Sequence, residues 1–270
     1  MLDHAVLILL LITVSIIAGI LGSMLGLGGG FIIAPTLIMM NIEPYKVSGT
    51  SLFTVFSTSL SSTISYSKQG KIDYRLAYRL ALFVLPGSVI GAYISSIINI
   101  QEFKLYFAII LAGVSIHMLT RPYYSKGMRR VEALDDKDIR HIDYNGRYHN
   151  YYYFIIVFFS GLIASLFGIG GGVLLIPMML LLMHIDMHKA VPNVQFVILT
   201  SSIIGLITHV ILGHPDYFIA LILVIGTFIG AQIGSRLINK VKDIILRRLV
   251  TSALLFIAAR FIYDYLASSG

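Results

Sequence analysis

Gly26-Leu27-Gly28-Gly29-Gly30-Phe31-Ile32-Ile33-Ala34-Pro35 decides how this chain is read, because the pattern returns 142 residues later as Gly168-Ile169-Gly170-Gly171-Gly172-Val173-Leu174-Leu175-Ile176-Pro177. Each copy lies inside a strongly apolar stretch. A glycine run lets the backbone turn sharply and lets other groups approach closely, so each copy marks a break in a helix. The chain reads as two copies of one unit.

Composition sets the class. With 57% hydrophobic and 12% charged residues and a mean hydropathy of +0.87, 270 residues do not make a water-soluble domain; they make an all-α, polytopic membrane protein. The absence of Cys removes disulfides, thiolate metal sites and Cys nucleophiles. Trp is absent too, so the interfacial role falls to Tyr66, Tyr74, Tyr78, Tyr123, Tyr124 and Tyr151 to Tyr153, which stand where segments end. The N-terminus lacks the basic region of a secretory signal, so residues 4 to 22 read as a retained helix. A net charge of +7 sits in loops and helix ends, where membrane topology explains it and no nucleic-acid partner is needed.

Ten apolar segments follow, five per copy: 4–22, 28–40, 47–67, 75–98 and 104–119, then 150–167, 171–183, 190–212, 217–238 and 244–265. The correspondence extends beyond the glycines. Lys46-Val47-Ser48-Gly49-Thr50 meets Lys189-Ala190-Val191-Pro192-Asn193, and Gly70 to Tyr74 meets Gly213 to Tyr217, both at an offset of 143. Gly87 to Ala92 meets Gly226 to Ala231. The expected organisation is a membrane repeat over 1–120, a polar connector over 121–149 and a second repeat over 150–270.

If the first two segments of each copy return to one side and the other three each cross, seventeen of the twenty Lys and Arg fall on a single side; a single broken crossing by the first two splits them 12 to 8. The charge rule prefers the first arrangement. It puts both termini outside and the connector in the cytoplasm, and an odd number of crossings makes the two copies inverted-topology repeats. Charge leaves open whether 4–22 and 28–40 are two full spans or a re-entrant hairpin, but the second is a dozen residues where ~20 are usual. It reads as a partial or bent helix.

Gly28, Gly29 and Gly30, with Gly170, Gly171 and Gly172, lead into the starts of new helices. Such ends carry unsatisfied N–H donors and about half a positive charge, so two of them aimed at a common centre suit an anion without Lys or Arg. Close packing of membrane helices is the competing reason for glycine there. Thr50 and Ser51, with Asn193 and Gln195, lie nearest these motifs in sequence and complete the expected binding set. Thr54, Ser57, Thr58 and Ser61 continue a hydroxyl stripe on one helical face, and Thr200, Ser201 and Gln232 are its sparser partners in the second copy. These read as pathway-lining residues.

No Asp or Glu lies inside a segment until Asp264, which argues against a carboxylate relay or cation site and leaves no metal site. His117 and His209 are the mid-segment titratable groups and the candidates for proton movement. Pro35 and Pro177 are expected to kink their segments, and Asp73 and Asp216 to cap the helices they precede.

The duplicated pattern from Gly19 to Pro35 and from Gly161 to Pro177, with Ser48-Gly49-Thr50-Ser51-Leu52 after the first copy, resembles the sulfite exporter TauE/SafE (TSUP) family. The resemblance implies a bacterial or archaeal plasma-membrane transporter of a small sulfur-containing anion such as sulfite, a sulfonate, sulfoacetate or thiosulfate, with no cofactor. It raises the glycine loops as binding elements. The second copy departs at Val191-Pro192-Asn193-Val194-Gln195. Alternating access between the two repeats is the expected mechanism, with H⁺ or Na⁺ as coupling ion. A passive anion channel and, further off, an intramembrane enzyme are the alternatives.

Overall fold

The computed structural model describes residues 4–120, 151–181, 183, 185, 187–238, 240, 251–252, 255–256 and 258–263. Nine helices are delimited among them: α1 (His4–Leu25), α2 (Gly30–Met39), α3 (Pro44–Lys68), α4 (Tyr74–Ser95), α5 (Ile100–Thr120), α6 (Tyr151–Phe167), α7 (Gly172–Leu181), α8 (Met187–Ile211) and α9 (Tyr217–Leu237). They match the expected segments within a few residues. The connector, the side chain of His117 and most of the last segment lie outside the described residues.

Val6–Leu25, Tyr74–Ser95, Met187–Ile211 and Tyr217–Leu237 are long and apolar enough to cross a membrane. By contrast α2 and α7 have ten residues each, roughly 15 Å of helix at 1.5 Å per residue. That is about half of a ~30 Å hydrocarbon core, so these two are half-helices. Each carries its proline internally, Pro35 in α2 and Pro177 in α7.

The polarity of a soluble protein is turned inside out. On α9, Phe218, Leu221, Ile225 and Ile229 are exposed, while Gly226, Gly230 and Gly234 are buried. The glycines face α1: a Cβ at Gly230 would overlap the Ile16 carbonyl oxygen, and one at Gly234 the Ile20 carbonyl and the Ser23 hydroxyl. From α1, Gly19 returns the contact, with the Thr227 carbonyl in the way of any side chain there. The α4–α6 pair repeats the device, with Gly87 and Gly91 against the Phe158 and Leu162 carbonyls and Gly161 against that of Val84. In lipid no water-driven collapse holds helices together, so backbones must approach closely enough for dispersion to do it.

These two pairs, α1 with α9 and α4 with α6, are the most closely packed in the structure. Each joins the first helix of one copy to the fourth of the other. Hydroxyls add to the cross-copy packing of α3 on α9: Ser57 donates to the Val224 carbonyl and Ser61 to that of Phe228, both at 2.9 Å. An aromatic cluster seats α5, where Phe103 and Phe107 lie 4.9 and 5.2 Å from Phe167 and Phe107 lies 6.1 Å from Phe261.

Asp73 and Asp216 cap as the sequence implies. Asp73 accepts from the backbone N–H of Arg75 and Leu76 at 3.1 and 3.2 Å, and Asp216 from those of Phe218 and Ile219 at 3.1 Å. Among the tyrosines, Tyr74 and Tyr78 are exposed, as an interfacial belt requires. Tyr66 is not part of that belt: it is fully buried and donates to the Ser23 carbonyl at 3.0 Å.

Gly230→Ala should lower the melting temperature in detergent even though alanine is the better helix former by about 1 kcal/mol. Gly113→Ala, in α5 with no atom of the described residues within contact of an added Cβ, should raise it; equal effects at both sites would contradict the packing described. Asp73→Ala and Asp216→Ala should each cost about 1 kcal/mol by chemical denaturation, the usual worth of an N-cap.

Candidate functional site

Each half-helix starts from a glycine turn. After α1, Gly26, Gly28 and Gly29 take positive φ values of 69, 79 and 69°, and after α6, Gly168 and Gly170 take 67 and 71°. These are left-handed conformations that side chains rarely adopt. The Gly22 carbonyl, near the end of α1, accepts from Leu27 N and Gly28 N at 3.0 and 3.3 Å, and the Ala164 carbonyl accepts from Ile169 N at 3.2 Å. Gly29, the N-cap of α2, brings no side-chain cap to the new helix.

The two turns are seated on one another. A Cβ at Gly30 would overlap the Gly168 carbonyl oxygen, and one at Gly172 the Gly26 carbonyl oxygen. Between them a Cβ at Gly28 would stand 3.7 Å from Gly170 Cα, 3.3 Å from Val55 and 3.4 Å from Ile198. Val55 and Ile198 are equivalent residues of α3 and α8, so the contact is nearly symmetric. The sequence's two readings of glycine therefore meet in one place: these residues both start helices and allow backbone to touch backbone.

The third helix of each copy clamps the glycine turn of the other. From α3, Ser51 donates to the Gly168 carbonyl at 2.8 Å, and Ser48 donates to the Leu166 carbonyl. From α8, the Gln195 amide donates to the Gly22 carbonyl at 2.7 Å. Thr50 and Asn193 make a matched pair elsewhere: the Thr50 hydroxyl accepts from Asp216 N at 2.9 Å and the Asn193 side chain from Asp73 N at 2.8 Å. Each thus holds the N-terminus of the other copy's fourth helix. Of the expected binding set, the glycines, Ser51 and Gln195 are brought together, whereas the side-chain oxygens of Thr50 and Asn193 are engaged at the starts of α9 and α4.

The expected pathway residues divide similarly. Ser57 and Ser61 bridge to α9, and Gln232 answers by donating to the Ser61 carbonyl at 3.0 Å. Thr54, Thr200 and Ser201 bond back along their own helices, to Ser51, Val197 and Ile198. Thr58 differs. It is fully buried, its hydroxyl makes no hydrogen bond among the described residues, and a Cβ at Gly29 would lie 2.8 Å from it.

The carbonyl oxygen of Gln195, whose side chain is fully buried, is likewise without a partner. Leaving such an atom unsatisfied costs about 1–3 kcal/mol, so two of them beside one turn mark a place built for something polar. In the other copy Ser201, the counterpart of Thr58, is bonded, and Leu52 stands at the position matching Gln195. These two free atoms flank the first glycine turn, and the buried Ser165 hydroxyl, three residues before Gly168, is likewise unpartnered among the described residues.

Sequence reading missed the clamps at Ser48 and Tyr66. It named His209 but missed its pairing with His214 at the end of α8: both rings are buried and approach through their Nδ1 atoms at 2.8 Å. Histidines flanking Leu212-Gly213, a turn signal, were the available clue.

Comparison with known proteins places the chain. The sequence model of the family described as Sulfite exporter TauE/SafE matches residues 11–261. The probable membrane transporter protein YunE of Bacillus subtilis is 31% identical over 267 residues, covering 94% of this chain and 97% of that one. A probable membrane transporter protein of Methanocaldococcus jannaschii, MJ0441, is 27% identical over 93% of this chain and 94% of its own length. No solved structure matches the chain. With the family match running through nearly every described helix, this multi-pass membrane protein belongs to the sulfite exporter TauE/SafE family.

Proposed function

We propose that the protein is a secondary transporter that carries a small sulfur-containing oxyanion, of the sulfite, thiosulfate or sulfonate class, across the plasma membrane by alternating access. The observation that carries this reading is the seating of two glycine-started half-helices on one another beside the unpartnered Thr58 hydroxyl and Gln195 carbonyl. The N-terminus of α2, where the Gly30 and Ile32 N–H groups are already bonded to the Gly28 and Gly29 carbonyls, offers partial positive charge, Thr58 offers a hydroxyl, and Gln195 accepts from a hydrogen or water carried by the anion. Oxyanions match that set, and family membership supports the same class of cargo.

As the turns touch, an anion has room only when they part. That is the behaviour of an alternating-access carrier, in which the substrate separates elements that close on each other when it leaves. We read the two copies as inverted repeats with both termini outside and the connector cytoplasmic, because the basic residues then gather on one side. The cross-copy packing makes the moving bodies composite: α1 travels with α9, and α4 with α6.

Thr58→Val tests the site without a folding defect, unlike a side chain at Gly29, where the positive φ and the nearby Thr58 hydroxyl forbid one. Removing an unsatisfied hydroxyl should leave the ligand-free protein as stable or more stable. In wild type one of sulfite, thiosulfate, sulfoacetate or taurine should raise the melting temperature, by the equivalent of about 2.7 kcal/mol at a hundred times its dissociation constant. Thr58→Val should lose most of that rise. An undiminished rise in the variant, or none in wild type with any of the four, removes the site proposed here. A flux that never saturates with anion concentration would favour a passive channel instead.

A further inference from the structure

Four residues form a chain of hydrogen bonds from the surface to the second glycine turn. Ser96, exposed just past the end of α4, lies 3.1 Å from His214 Nε2. His214 and His209 meet through their Nδ1 atoms at 2.8 Å, and His209 Nε2 lies 3.1 Å from the Ser165 carbonyl oxygen. That carbonyl accepts only, so His209 Nε2 carries a hydrogen. In the neutral pair His209 Nδ1 must then accept from His214 Nδ1–H, and His214 Nε2 accepts from the Ser96 hydroxyl. Every hydrogen is fixed, and one nitrogen, His214 Nε2 at the surface end, can take up another.

The backbone enforces the pairing. Gly213 turns with φ 72°, and His214 N donates to the His209 carbonyl at 3.0 Å, which folds the second ring back on the first. The first copy has the same turn: Gly70 has φ 66° and Lys71 N donates to the Tyr66 carbonyl at 3.1 Å. There Tyr66 holds the Ser23 carbonyl where His209 holds that of Ser165. The second copy thus has a titratable ring where the first has a phenol, and a second ring behind it where the first has Lys71.

We propose that His209 and His214 form a single proton-binding site that couples proton movement to the transport proposed above, a reading on which this one rests. A proton arriving by way of Ser96 binds His214 Nε2, and the proton already on His214 Nδ1 passes to His209 Nδ1. The net change is one proton gained and one positive charge moved to the ring that holds Ser165. A second proton has no free nitrogen, so the pair takes one. The charged and titratable groups around it are Tyr45, whose ring lies 5.2 Å from that of His214, the Glu43–Lys46 ion pair at the same end of α3, and Asp216, occupied in capping α9. No carboxylate is hydrogen-bonded to either ring among the described residues, and burial pushes the His214 imidazole below its ordinary value. A protonated pair is therefore costly where it is buried and favours a conformation in which His214 is wet.

The sign follows. A histidine whose value is depressed by folding stabilises the protein above the ordinary imidazole value of about 6.5 and loses that contribution as pH falls. The melting temperature should drop as pH falls below about 6.5, and drop less in His214→Asn, whose amide N–H still donates to His209. In wild type labelled with ¹⁵N-histidine, nuclear magnetic resonance should show the two rings gaining one proton together as pH falls below about 6.5. His209→Tyr, which copies the first repeat and keeps a donor for Ser165, should abolish that uptake. Two rings titrating independently, or neither titrating, overturns the proton site whatever the protein carries.

In proteoliposomes with an imposed pH gradient, uptake of thiosulfate, whose charge is fixed near neutral pH, should respond to the gradient in wild type. In His214→Asn, thiosulfate-for-thiosulfate exchange should persist while that response is lost. Uptake in wild type that ignores the gradient overturns the coupling and leaves the transport reading standing. If none of thiosulfate, sulfite, sulfoacetate and taurine moves in wild type, the transport reading and the coupling fall together, and the resonance titration alone then decides whether the proton site exists.

Discussion

The structure depends on a contact between two stretches of bare backbone. Where a helix is broken inside a membrane its N–H and C=O groups lose their partners, and lipid supplies none. This chain breaks two helices and stacks the breaks, so that each shields the other from lipid. The Leu166 and Gly168 carbonyls are taken up by Ser48 and Ser51, and Gln195 adds a side-chain donor to the Gly22 carbonyl, which already closes the first turn. Glycine is obligatory at Gly30 and Gly172 because a single methyl on either would collide with the facing turn.

Once the breaks are stacked, the surroundings follow. The third helices must pass close to the turns to clamp them, which accounts for the buried hydroxyls of α3 and for its modest apolarity. The first helices end at the turns and must be fixed laterally, which the glycine contacts of α1 on α9 and α4 on α6 accomplish. Among the described residues, unpaired buried polar atoms remain at Thr58 and Gln195 beside the first turn and at Ser165 just before the second.

Much of this was legible in the sequence. The duplication, the helix positions, the half-length of α2 and α7 and the two aspartate caps all follow from spacing and composition, which are local signals. The roles of individual polar residues were not, because they depend on which copy supplies the partner. Thr50 and Asn193 sit beside the glycine motifs in sequence yet serve helices about 120 to 166 residues away. Tyr66 has the composition of an interfacial residue and the environment of a core one. Ser51 and Gln195 were picked out for nearness to the glycines, and they do reach glycine turns, each that of the opposite copy.

The cross-copy pairing of α1 with α9 and α4 with α6 also bears on how the protein is made. When α1 to α5 have been synthesised, the glycine-lined faces of α1 and α4 and the first turn have no matching surface within their own half. α4 must wait about 30 residues past the end of α5 for α6, and α1 about 100 for α9. Assembly is therefore complete only when the whole chain has been made. By the same geometry, two halves supplied as separate polypeptides have complementary faces only for each other.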